Sequence, residues 1–121
     1  MRTLLLLTTF FLLAGTAAAQ CDDKKTTLDI SQCLIAELKK ADTELNRNYQ
    51  QALKKLKTAD AERLRKAQRA WIVYRDAHCD AEFELWDGGT GGHVALPQCK
   101  LTLTKARAAE IEETYSRYEN Q

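Results

Sequence analysis

Four cysteines follow what reads as a secretory leader, and nothing else in the chain limits its fold as much. Arg2 precedes an apolar run, Leu4 to Leu13, and then a small-residue stretch that ends in Ala17-Ala18-Ala19. Charge, short apolar core and A-x-A site, in that order, describe a cleavable signal peptide over residues 1–19. The apolar run is about half the ~20 residues needed to cross a bilayer, so no membrane anchor is expected. Gln20 fits poorly before a lipid-bearing cysteine, so cleavage after Ala19 to a soluble product is favoured over lipid attachment at Cys21. In an oxidising compartment Cys21, Cys33, Cys79 and Cys99 are expected as two disulfides, not as reactive thiols or metal ligands.

The remaining chain, residues 20–121, is 102 residues long and reads as one domain. Without Arg2 it keeps 17 of the 18 basic residues against 17 acidic ones. A neutral total argues against a general nucleic-acid or anionic-membrane binder.

Apolar residues spaced by threes and fours outline three helices. The first is expected from about Leu28 to Lys57, capped by Thr27, with Leu34, Leu38, Ala41, Leu45, Tyr49, Ala52 and Leu56 on one face. The second is expected from about Ala61 to Trp86, capped by Asp60, with Leu64, Ala67, Trp71, Tyr74, Ala81 and Leu85 inward. The third is expected from about Lys100 to Tyr118, burying Leu101, Thr104, Ala108, Ile111, Tyr115 and Tyr118. The fold class is therefore all-α: an antiparallel helical hairpin plus a third helix, forming a three-helix bundle.

The short link Lys57–Asp60 implies a tight hairpin. Centring it between Thr58 and Ala59 sets Asp42 opposite Arg75, Asn46 opposite Trp71 and Tyr49 opposite Gln68. Asp42, Asn46, Gln68, Trp71 and Arg75, joined by Arg107, are expected as a polar layer that fixes register. The same register offsets Cys33 from Cys79 by ~7.5 Å along the axis, beyond easy bridging. Neighbour pairing is expected instead, Cys21 with Cys33 and Cys79 with Cys99. The second connection, Asp87 to Gln98, holds four glycines and Pro97, and is expected as a non-helical loop pinned by the cysteines around it.

Certain residues carry a family resemblance. A Cys-x11-Cys segment is followed by Asp42-x-x-Leu45-Asn46-x-x-Tyr49. Then come Leu64-Arg65-x-Ala67-Gln68-Arg69-Ala70-Trp71-Ile72-x-Tyr74-Arg75-Asp76-Ala77-x-Cys79-x-x-Glu82, the glycine segment, and Cys99-x-x-x-x-Thr104-x-x-Arg107. The chain resembles the LprI-like lysozyme inhibitor N-terminal domain family of small exported bacterial proteins over nearly all of residues 21–118. Its departure is the loop, Gly88-Gly89-Thr90-Gly91-Gly92-His93, where relatives often read Gly-Gly-Ser and a proline soon after. The resemblance implies a periplasmic or secreted protein that binds lysozyme and inhibits it.

Rival chemistries are weak. His78 and Cys79 point about 100° apart on a helix, and a disulfide-bonded cysteine is no nucleophile, so no enzyme is expected. No Cys-x-x-Cys occurs and only two histidines are present, so neither metal nor cofactor is expected. Charge is polarised instead. Lys54, Lys55, Lys57, Arg63, Arg65, Lys66 and Arg69 gather at the hairpin tip, and Asp76, Asp80, Glu82, Glu84, Asp87, Asp22, Asp23 and Asp29 at the other end. An acidic pole bearing the loop suits a basic lysozyme. The expected contacts are Gly89, Thr90, His93, Val94 and Leu96, with Glu82 and Glu84 steering. His93 would reach the catalytic carboxylates of a lysozyme cleft. The alternative is an envelope stress or assembly protein that binds another partner through its helical faces.

Overall fold

The computed structural model describes residues 21–118, so the leader expected over residues 1–19 lies outside them. Three helices follow one another: α1 (Thr27–Lys55), α2 (Thr58–Glu84) and α3 (Gly92–Ser116). Among the described residues none is long and apolar enough to cross a membrane.

α1 is capped by Thr26, one residue earlier than expected, whose hydroxyl accepts from the Asp29 amide at 3.1 Å. Asp29 in the first turn and Lys54 and Lys55 in the last complement the helix dipole. α2 begins at Thr58, not Ala61. Asp60 is therefore no cap; it lies in the first turn, paired with Arg63. Leu56 and Lys57 alone join the two helices.

α3 departs most from expectation. It starts at Gly92 rather than Lys100, so the non-helical segment is only residues 85–91 and the expected 87–98 loop is corrected. Pro97 sits inside the helix, where it cannot donate to the carbonyl four residues back. That carbonyl belongs to His93, and Ser31 on α1 donates to it at 2.8 Å instead. A side chain 62 residues away thus supplies the hydrogen bond that the proline cannot.

α3 is the common support. α1 packs along most of it, α2 less extensively, and α1 and α2 touch each other at few places. Because each link reverses direction, α1 and α3 run parallel with α2 antiparallel to both. One cluster, Leu45, Ala52, Leu64, Ala108 and Ile111, lies toward the hairpin tip; another, Cys21, Leu34, Ala41 and Leu101, lies toward the opposite end. Each fully buried leucine or isoleucine among them contributes about 1.5–3 kcal/mol.

The inward face of α2 is also corrected. Ala61, Leu64, Gln68 and Cys79 are buried and Trp71 and Arg75 half-buried, whereas Ala67, Tyr74, Ala81 and Leu85 point outward. Both disulfides pair as expected, Cys21 with Cys33 and Cys79 with Cys99, with Cα separations of 5.8 and 5.6 Å. The first ties the N-terminal arm to α1, the second ties α2 to α3.

Arg75 does reach Asp42, at 3.2 Å, and its guanidinium also donates to the buried Thr104 hydroxyl at 3.3 Å. It lies 5.3 Å from the Trp71 ring centroid. Arg107 donates to the Gln68 side-chain carbonyl at 3.1 Å. Asn46 is exposed and drops out of the layer. Asn48 takes the buried amide role, donating to the Ala108 carbonyl at 3.1 Å.

Candidate functional site: the carboxylate-rimmed end

The start of α1, the end of α2 and the start of α3 meet at one end of the bundle. Residues 85–91 cross it as a chain of tight turns. Trp86 donates to the Phe83 carbonyl at 3.1 Å, Asp87 to Glu84 at 3.2 Å, and Gly89 to Trp86 at 2.8 Å. Gly92, His93 and Val94 donate in turn to Gly89, Thr90 and Gly91. The segment is therefore internally bonded along its length. Asp87 (φ 46°) and Gly88 (φ 76°) reverse it through the left-handed region.

Two glycines here serve close approach. A β-carbon on Gly91 would fall 2.2 Å from the Trp86 ring, and one on Gly92 2.9 Å from the Phe83 ring. Trp86 therefore lies flat across the segment and is still half exposed. Beside it Leu85 is 84% exposed, and Leu28 at the start of α1 is 64% exposed. The His93 ring tilts against Phe83, with centroids 6.0 Å apart. Thr27, Leu28, Ser31, Thr90 and His93 line a shallow depression of about 430 Å³.

Acids rim this apolar end: Asp22, Asp23, Asp29, Glu84 and Asp87 are all exposed, against Lys24 and Lys25. Asp23 holds Lys24 at 3.3 Å, which removes part of that opposing charge. The other pole is less basic than the first two helices suggest. α3 runs parallel to α1 and delivers Glu110, Glu112 and Glu113 there, pairing Glu110 with Arg107 and Glu113 with Arg117.

The contact residues read from sequence fall into two groups. Gly89, Thr90, His93 and Glu84 are exposed at this end. Val94 is half-buried against the Cys21–Leu101 cluster, and Leu96 is also half-buried. Glu82 is half-buried and sits 3.3 Å from His78. Leu28, Leu85 and Trp86 were not singled out, because Leu85 was counted as core and Trp86 as a helix end. His78, Glu82 and Cys99 cluster within 4.8 Å, but the Cys99 sulfur is bonded to Cys79, leaving two ligands and no built metal site.

Leu28, Leu85 and Trp86 are thus exposed apolar side chains at an acid-rimmed end, residue types that can anchor protein interfaces. Residues 17–111 match the family model described as lysozyme inhibitor LprI. An uncharacterized protein of Rhizobium meliloti (strain 1021) is 32% identical over 114 residues, covering 83% of this chain and 81% of that protein. No solved structure matches the chain.

Proposed function

The chain belongs to the LprI lysozyme inhibitor family, and from that premise we propose that it is an exported protein that binds lysozyme and blocks its cleft. The family match over residues 17–111 carries this reading. The exposed apolar residues of the acid-rimmed end support it with a surface of fitting chemistry.

In this mechanism Trp86 and Leu85 enter the cleft as apolar anchors. Asp87, Glu84 and Asp29 face the basic surroundings of the cleft and speed encounter. His93, exposed in the first turn of α3, supplies a hydrogen-bonding group toward the catalytic carboxylates. Gly89 and Thr90 present backbone close to the partner. The turn-bonded segment loses little freedom on binding, where a loose loop would lose ~0.5–1.5 kcal/mol per immobilised side chain.

Lysis of a cell-wall suspension by several structural types of lysozyme, with and without the pure disulfide-bonded protein, tests the function. Slowed lysis of at least one type, saturating near equimolar ratio, is the expected result. Unchanged lysis of every type at large excess overturns it and leaves the envelope-assembly reading in its place.

A further inference from the structure

α2 is apolar on two opposite sides. Its bundle side is filled by α3 and, at Arg75, by α1. On the far side Ala70, Val73, Tyr74, Ala77 and Ala81 are all exposed, Val73 to 70% and Tyr74 to 54%. At 3.6 residues per turn these five fall within an arc of about 100°. Arg63 and Lys66 extend the row toward the start of the helix, and Glu84 toward its end; all three are exposed.

The spacing of the row is the same in both directions, though the residues are not. From the midpoint between Val73 and Tyr74, positions 73, 70, 66 and 63 mirror positions 74, 77, 81 and 84. A two-fold axis through that midpoint, perpendicular to the helix, sets Val73 against Tyr74 of the partner subunit. It also sets Ala70 against Ala77 of the partner subunit and Arg63 against Glu84 of the partner subunit. Charge inverts about the same point. The half with Arg63, Lys66 and Arg69, its charge partly offset by Asp60 and Glu62, lies over the half with Asp80 and Glu84 of the second copy, whereas a parallel arrangement would superpose like charges. The alanines let the two backbones approach, and Tyr74 is already restrained by stacking on His78, with centroids 5.5 Å apart.

We infer that this face is a self-complementary dimer interface, with α2 packed antiparallel on α2 of a second copy of the chain. A two-fold contact of this kind is closed and uses one patch on both subunits. The complementarity is of the chain to itself, which distinguishes a second copy from an unrelated protein. One helix pair covers less than the ~1,600 Å² of a standard interface, so the dimer belongs to the micromolar class. Glu84 is common to this face and to the carboxylate-rimmed end.

Sedimentation equilibrium of the disulfide-bonded chain, over roughly 1–500 µM at low salt, is the test, since that range brackets a micromolar constant. A monomer–dimer equilibrium is expected. Val73→Asp should weaken it about 100-fold, because every interface substitution counts twice about a two-fold axis. Glu84→Lys should also weaken it, and Arg63→Glu combined with Glu84→Lys should restore it. Ala77→Lys serves as a second disrupting variant, and unchanged melting temperatures certify that these surface changes leave the fold intact. A monomer throughout the range overturns the inference, as does a dimer indifferent to Val73→Asp and Ala77→Lys. Failure of the charge swap to rescue rejects the antiparallel pairing. Loss of lysozyme inhibition in Val73→Asp without any change in mass assigns the face to the foreign partner and equally overturns it.

Discussion

The pairing of Ser31 with the His93 carbonyl shows how one side chain decides what a sequence can do elsewhere. Pro97 strands that carbonyl, and Ser31 satisfies it. Ser31→Ala should therefore cost about 1 kcal/mol, and much less in a Pro97→Ala background that restores the helical donor. A double-mutant cycle by thermal denaturation measures the coupling; additive costs would show that the bond is incidental. The Arg75 layer behaves differently. Arg75 is 15% exposed at its side chain but Asp42 is 46% exposed, so water screens the pair. Its coupling energy should be about 0.5–1 kcal/mol, not that of a buried charge pair. Arg75→Ala should cost more, about 2 kcal/mol, since it also takes the donor from the Thr104 hydroxyl and uncovers Trp71. Thr104→Val, removing only that acceptor, should lie between the two.

At the level of the helices, the periodicities of α1 and α3 each mark one apolar row that is buried or half-buried, except that Tyr118 lies beyond the end of α3 and is 47% exposed. α2 was misread because it has two, and spacing alone cannot say which is covered. Ala67, Tyr74, Ala81 and Leu85 form as regular a row as the true inward residues. The early start of α3 was hidden for another reason: glycines and a proline are local stop signals, and the hydroxyl that serves the carbonyl left by Pro97 lies on another helix. The disulfide pairing was legible, since the short hairpin bounds the axial offsets. Two glycine substitutions separate strain from crowding in residues 85–91. Gly88→Ala meets open space but must hold φ 76°, so it should lower stability by about 1–2 kcal/mol and leave binding unaffected. Gly91→Ala should displace Trp86 instead. A shift in tryptophan emission, with Trp71 unchanged, would report it, and inhibition should fall in parallel.

For the whole molecule, the apolar and the charged residues of the acidic end predict distinct responses of partner binding. Trp86→Ala should weaken lysozyme binding about 30-fold or more, as loss of a central aromatic anchor does. His93→Ala should weaken it less, and neither should move the melting temperature, because both side chains lie outside the two core clusters. Reversing Glu84 and Asp87 to lysine should slow association more than it speeds dissociation, and the difference should vanish in high salt. Surface plasmon resonance at two salt concentrations separates these effects. Equal inhibition by the Trp86 and His93 variants would move the binding face onto the helices. The end itself was only partly legible: its acids and His93 were readable, but the anchors at Leu28, Leu85 and Trp86 emerge from how three helix termini converge.

The support on which both other helices rest comes after them in the chain. Until α3 is available, α1 and α2 have little to pack against, and the bond from Asn48 to Ala108 spans 60 residues of chain. For a helical protein this is a topology of distant contacts, which slows folding. A nascent chain should therefore remain loose until α3 joins it, a state that would suit the export proposed above. The Cys21–Cys33 loop can be oxidised at any stage, whereas Cys79 must wait for Cys99. Stable structure thus waits for the third helix.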